Sequence, residues 1–192
     1  GRFEVHGSKN AALPMLAASL LTDGVVELSD VPRLQDIANM LRLLAELGVD
    51  VSESSEGPGQ GRTITTQVSD ASLSHARYDI VRTMRAGVCV LGPMLARRGE
   101  ARISMPGGCA IGPRPIDLHL KGLAALGASV SLSNGDVIAK APAGGLRGAT
   151  VFLGGAFGST VLGTANIMSA ATLARGRTVI ESAACEPEIV DL

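Results

Sequence analysis

The chain of 192 residues is 46% hydrophobic and carries 17 basic against 18 acidic side chains, a net charge of −1. That is enough apolar material to bury a core in one or two domains, and no overall basic field exists to hold nucleic acid or an anionic membrane. Aromatic content of 2%, with no Trp, leaves few platforms on which bases could stack, so a small-molecule ligand is favoured.

In chain order, an Ala/Leu-rich helix is predicted over residues 11–21, with Ser8-Lys9-Asn10 ahead of it and Pro14 in its first turns. Gly24 separates it from a short strand at 25–28. An amphipathic helix follows at 34–47, with Leu34, Ile37, Ala38, Leu41, Leu44 and Leu47 at helical spacing. Gly48 supplies its left-handed stop, and a strand at 49–52 comes next. The order then returns as a helix over 80–96, Gly99, a strand at 101–105, a Gly/Pro loop, a helix at 116–126, Gly127 and a strand at 128–132. Asn134-Gly135 predicts a hairpin turn, because both central positions of such a turn need positive φ. A third copy runs through a helix at 167–174, Gly176 and a strand at 178–182, and reaches residues 188–192 where its second helix should be starting. The chain is therefore expected to stop inside a structural unit. Three copies of one pattern predict an α/β domain of pseudo-threefold repeats with the helices packed together inside. Pro32 and residues 57–61 and 142–145 read as surface turns.

Cys89, Cys109 and Cys185 are odd in number, widely spaced and lack any CxxC or His-rich neighbourhood, which argues against a disulfide framework or a zinc site and fits a reducing cytosol. The longest apolar stretches, at 88–91 and 167–174, are broken well short of a membrane span, and no cleavable signal is read at the start of the chain. A soluble cytoplasmic protein is expected. Cys89, in an apolar helical face, and Cys185 are expected to be packing residues. His6 and His75 have no carboxylate or second His at metal spacing and read as satisfied or exposed histidines.

Cys109 stands among three glycines and three prolines in the segment from Pro106 to His119, so it is expected on a conformationally restricted loop. Arg85 and Arg114, if close, would favour its thiolate or make it a tunable acid. Lys9 beside the free N–H groups of a helix start is a place that attracts phosphate, although a solvated lysine beside a cap accounts for it as well. Arg82 and Arg85, three apart, would share one helical face and could clamp a diphosphate. Residues 154–160, Gly-Gly-Ala-Phe-Gly-Ser-Thr, look like a phosphate-cradling turn, but no Gly-Lys-Ser/Thr follows and a nucleotide-hydrolysing P-loop is excluded.

Several ordered motifs together resemble one family. They are Gly7-Ser8-Lys9-Asn10-Ala11-Ala12-Leu13-Pro14, Thr83-Met84-Arg85-Ala86, Leu91-Gly92-Pro93-Met94-Leu95-Ala96-Arg97, the Pro-Gly-Gly-Cys-x-Ile-Gly loop from Pro106, Lys121-Gly122-Leu123, and Glu186-Pro187-Glu188-Ile189-Val190-Asp191. The chain is similar, nearly end to end, to the UDP-N-acetylglucosamine enolpyruvyl transferases. The resemblance implies an enzyme of two similar domains, each an inside-out α/β barrel of three repeated β-α-β-α-β-β type units, with the active site in the cleft between them. Residues 1–7 would be a crossover segment from the missing second domain, and residues 8–192 the first domain, incomplete at its C-terminal end.

The implied reaction moves the enolpyruvyl group of phosphoenolpyruvate onto the 3-hydroxyl of UDP-N-acetylglucosamine, with no metal or organic cofactor. By the same resemblance Lys9 and Arg114 hold the phosphate of phosphoenolpyruvate, Asn10 contacts the sugar, and Arg85 the diphosphate side. Pro115, Ile116, Asp117, Leu118 and His119 line the uridine pocket. Cys109 is implied as a proton donor or product-release residue on a mobile lid and as the target of fosfomycin. The general-base Asp and further arginines would lie in the second domain. One departure stands out: where the family has hydrophobic-Ser-Val-Gly-Ala-Thr, residues 154–163 read Gly-Gly-Ala-Phe-Gly-Ser-Thr-Val-Leu-Gly, and either Gly158 or Gly163 could take the family glycine's place. Two alternatives remain: a non-catalytic UDP-sugar-binding half-enzyme, and the sister transferase acting on shikimate 3-phosphate, against which Asn10 after Lys9 and Cys109 in its loop both weigh.

Overall fold

The computed structural model describes residues 1, 7–55, 62–105, 116–156 and 158–192. The motif residues Cys109, Arg114 and Pro115, together with His6, the 57–61 turn and most of the 1–7 segment, lie outside them. The helices are α1 (Lys9–Ala18), α2 (Gln35–Glu46), α3 (Tyr78–Val81), α4 (Leu91–Arg98), α5 (Asp117–Ala125), α6 (Val161–Thr172) and α7 (Pro187–Asp191). The strands are β1 (Val26–Val31), β2 (Val49–Ser55), β3 (Arg62–Val68), β4 (His75–Ala76), β5 (Glu100–Ser104), β6 (Ser129–Ser133), β7 (Asp136–Lys140), β8 (Thr150–Phe152), β9 (Gly154–Gly155), β10 (Gly158–Ser159) and β11 (Val179–Glu181).

The repeat is visible in the order of elements. Helix α1 is followed by β1, α2 and the β2–β3 pair; α4 by β5, α5 and the β6–β7 hairpin; α6 by β11 and α7. Each of the first two sheets is built round its last strand, in the orders β1-β3-β2 and β4-β5-β7-β6. Strands β4 and β8, which lead into the second and third units, pair in parallel with β5 and β11. Asn134 and Gly135 both take positive φ, 53° and 82°, and close the β6–β7 hairpin as expected.

Helices α4 and α6 form the interior. Leu91 to Leu95 in α4 and Gly163 to Ile167 in α6 are five consecutive buried residues each, so these helices are covered all round. Glycines set how closely they approach. A Cβ on Gly92 would lie 2.2 Å from the Asn166 carbonyl oxygen, and one on Gly122 would lie 2.6 Å from Ile167 Cδ1. The α4–α6 and α5–α6 crossings exist because neither position carries a side chain.

In the frame, two expectations need correction and one strand was missed. The single helix over 80–96 is instead α3, a turn, a 3₁₀ segment (Arg85–Val90) and α4. Met84 is extended at φ −151° and ψ 117°, and Thr83 Oγ1 donates to the Ile80 carbonyl at 2.6 Å, so the helix ends there although apolar periodicity continues. Leu34 precedes α2 in an extended conformation and is 47% exposed, outside the apolar face assigned to it. The strand β3 was not foreseen; its alternation of buried Arg62, Ile64 and Thr66 with more exposed neighbours is a half-buried strand pattern built from polar β-branched residues.

Candidate functional site

Lys9 is the first residue of α1, and Asn10 beside it is exposed. The Ser8 side chain makes no capping hydrogen bond, and Ala12 N–H donates to the Ser8 carbonyl at 3.0 Å. The N–H groups of Lys9, Asn10 and Ala11 therefore face away from the helix as a positive end. Lys9 Nζ is not idle: it sits 2.7 Å from Asp36 Oδ2, with the two side chains 39% and 36% exposed. An ion pair this wet contributes about 0–1 kcal/mol, so an incoming phosphate could take the lysine from the aspartate at little cost.

Arg85 opens the 3₁₀ segment against which both α1 and α6 pack. Its charge is felt by Cys89 in the same segment and by His119 in α5. Arg82 does not share its helix. It is exposed and rests 5.7 Å over the Tyr78 ring, so the expected two-arginine clamp on one helical face is absent and the break at Met84 is the reason.

At the start of α5, Asp117 is exposed and Ile116 is 5% exposed. Leu118 lies beneath the β9–β10 hairpin, where a Cβ on Gly155 would come within 3.1 Å of Leu118 Cδ1. The glycine-rich segment of uncertain role thus covers a residue expected to line the uridine pocket. Gly158 holds φ at +90°, a conformation that suits the turn of the hairpin, and Thr160 then caps α6 by accepting from Gly163 N–H at 3.2 Å. Gly163 is inside the first turn of α6, with no room for a Cβ against Thr160 Cγ2 at 2.3 Å. His119 is 1% exposed, and burial first, then the Arg85 charge, push its pKa down to about 4. Its Nδ1 is 3.0 Å from Asn166 Nδ2, a partner the sequence reading did not single out. The available signal was one Asn in the middle of the apolar run of α6.

The remaining histidine and cysteine expectations divide. His75 is exposed, with Nε2 3.4 Å from Asp136, whose carboxylate also accepts from Ser104 Oγ and Arg102 Nε at 2.6 Å each. That donor set holds the Asp136 pKa below the ordinary value, the Ser104 hydrogen bond acting most strongly. Cys89 is buried as expected, its thiol pushed up to about 12 by burial. Cys185 is exposed, so it is not a packing residue: it follows β11 on the way into α7, where Ala184 beside it turns inward instead. Among the described residues no three His, Cys, Asp or Glu side chains gather as a metal site, and no helix is long and apolar enough to cross a membrane. A groove of about 410 Å³ beside Met168, Thr172 and Leu192 lies at the far end of α6 from Thr160, away from these residues.

Comparison with known proteins agrees with the fold. The model of the EPSP synthase (3-phosphoshikimate 1-carboxyvinyltransferase) family matches residues 1–192. A UDP-N-acetylglucosamine 1-carboxyvinyltransferase of Rhodospirillum centenum is 52% identical over 197 residues, covering 100% of this chain and 45% of the relative. Among solved structures, the enolpyruvyl transferase NikO from Streptomyces tendae superposes with a TM-score of 0.80 at 17% identity, over 100% of this chain and 42% of that one. EPSP synthase from Acinetobacter baumannii gives 0.71 at 18% identity, over 99% and 42%. The fold is that of the enolpyruvyl transferases, and the chain spans less than half the length of the proteins it matches.

Proposed function

The chain belongs to the EPSP synthase family, and from that premise we propose that it forms most of one domain of an enzyme that transfers enolpyruvyl from phosphoenolpyruvate to the 3-hydroxyl of UDP-N-acetylglucosamine, releasing phosphate and committing the sugar to peptidoglycan. The observation that carries this reading is the 52% identity across the whole chain to a UDP-N-acetylglucosamine 1-carboxyvinyltransferase, against 18% to an EPSP synthase of the same fold.

In this reading the sugar hydroxyl adds to C2 of phosphoenolpyruvate while a proton goes to the methylene carbon. Loss of phosphate and of one methyl proton then restores the double bond. An acid and a base must face each other, and cations must neutralise the phosphate and carboxylate as charge builds. Cys109 is the acid candidate, and Lys9 and Arg114 hold the departing phosphate. Asn10 contacts the sugar and Arg85 the diphosphate. Pro115, Ile116, Asp117, Leu118 and His119 form the uridine side, with the Gly154–Gly155 hairpin over Leu118. Buried Ile116 and His119 shape that pocket from behind. The base and further arginines belong to a second domain, to which residues 1–7 cross. The enzyme works in the cytoplasm and uses no cofactor.

The test is phosphate release by the full-length protein from phosphoenolpyruvate with each acceptor. Release with UDP-N-acetylglucosamine and not with shikimate 3-phosphate supports the reading. Release only with shikimate 3-phosphate, or tight UDP-sugar binding with no turnover, overturns it.

A further inference from the structure

Asn166 sits fully buried on α6 and makes three hydrogen bonds to parts of the chain far away in sequence. Its Oδ1 accepts from Gly92 N–H at 2.5 Å, and its Nδ2 donates to the Val88 carbonyl at 3.0 Å and faces His119 Nδ1 at 3.0 Å. The two backbone partners leave the amide one orientation. Turned over, its oxygen would face the Val88 carbonyl and its NH₂ would face the Gly92 N–H, two repulsive pairs. The group facing His119 is therefore an N–H donor, so His119 Nδ1 must be the acceptor and the ring proton must be on Nε2.

The chain of constraint runs from the backbone of the Arg85–Val90 segment and α4, through Asn166, to a histidine two residues into α5. It joins the element that carries Arg85 to the one that carries Asp117 and Leu118. A ring held neutral keeps a second positive charge away from Arg85, whose own charge already disfavours protonation of His119. His119 Nε2 is buried and has no hydrogen-bond partner among the described residues. A half-satisfied polar ring in the interior is a poor choice for stability alone, since an apolar side chain of similar volume would fill the space without an unmet donor.

We propose that Asn166 is a positioning residue for the nucleotide-sugar side of the site. It fixes His119 as the neutral Nε2–H tautomer and through it holds the Arg85 segment and the start of α5 at a set spacing. The inference rests on the functional reading above for its substrate and on the hydrogen-bond geometry for everything else.

Two measurements on the full-length protein test it. Nitrogen-15 spectra of histidine-labelled protein are expected to show His119 as the Nε2–H tautomer, and Asn166→Asp, which cannot donate in the same way, is expected to move the proton to Nδ1 or charge the ring. Steady-state kinetics of Asn166→Asp are expected to show KM for UDP-N-acetylglucosamine raised about five- to tenfold, with KM for phosphoenolpyruvate changed less than about twofold. Should that variant not fold, His119→Phe removes the same link from the other end and is expected to give the same split. An Nδ1–H ring in the wild type, a parallel rise in both KM values, or a lowered melting temperature with neither KM changed overturns the proposal. Absence of turnover in the wild type would instead sink the functional reading, and the tautomer would still decide whether Asn166 governs His119.

Discussion

Lys9 and Asp36 meet at the surface, each more than a third exposed, whereas Asn166 and His119 meet in the interior, where neither is more than 1% exposed. Both are polar pairs linking segments distant in sequence. Water competes with the first and not with the second, so the first can change partners when an anion arrives, while the second must be satisfied whether or not a ligand is present. A transferase site of the kind proposed needs both kinds. The cation that follows the moving phosphate must be free to exchange, and the frame that presents the nucleotide must not yield.

The comparison is broken most directly at Lys9. Lys9→Ala in the full-length protein is expected to lower kcat/KM about a hundred- to thousandfold, the effect of removing one charge from a developing anion. It should change unfolding free energy by less than about 1 kcal/mol, because the partner it leaves is a solvated Asp36. A variant that lost stability while keeping its turnover would reverse the roles assigned to the two pairs. Asp36→Asn, read in the same assay, should leave the fold intact, and any gain in affinity for phosphoenolpyruvate would measure how strongly the aspartate competes with the phosphate.

The interior pair is probed by pH. His119 titrates near 6.5 when the chain is unfolded and at about 4 when folded, so between those values the unfolded chain takes up a proton that the folded ring refuses. The contribution is therefore present above about pH 6.5 and is lost as pH falls towards 4. The shift corresponds to roughly 3 kcal/mol. Urea unfolding across that window should lose less stability in His119→Gln than in the wild type, and equal slopes would remove His119 from the account. A smaller change sharpens the point at the helix crossing. Gly92→Ala should cost roughly 2–3 kcal/mol, since the new Cβ meets the Asn166 backbone carbonyl and its side-chain oxygen at 2.2 Å and 2.4 Å and cannot be accommodated by turning a side chain.

Much of the frame was legible in the sequence, and the reason is that its signals are local. The α2 face from Ile37 onward follows from apolar spacing, the stops from Gly48 and Gly127, and the β6–β7 hairpin from Asn134-Gly135. Lys9 at a helix start was legible for the same reason. Where a run of apolar residues continued, as across Met84, periodicity alone could not show that the backbone leaves the helix. What decided that break was the local backbone and the packing of the Arg85–Val90 segment against α1 and α6. The His119–Asn166 bond joins positions 47 apart, and Asp36, 27 residues from Lys9, lies in another helix. Pairings at such separations are set by the whole fold, so no motif displays them.

The two described cysteines carry the smallest and most discriminating measurement of the contrast. Cys89 lies in the Arg85–Val90 segment, 2% exposed, with its thiol pushed up to about 12 by burial against the weaker opposing pull of Arg85. At pH 7.5 its thiolate fraction is on the order of one in 10⁴ or less, while exposed Cys185 suffers no such barrier to access. A maleimide added to the native protein should therefore modify Cys185 within minutes and leave Cys89 intact until denaturant is added. In the full-length enzyme fosfomycin should select Cys109 over both, and the labelling should disappear in Cys109→Asp. Labelling of Cys89 at a rate near that of Cys185 would mean that the Arg85–Val90 segment opens readily in the native state. The Val88 carbonyl that orients Asn166 would then be no fixed point, and the unyielding side of the site would be as exchangeable as the Lys9 side.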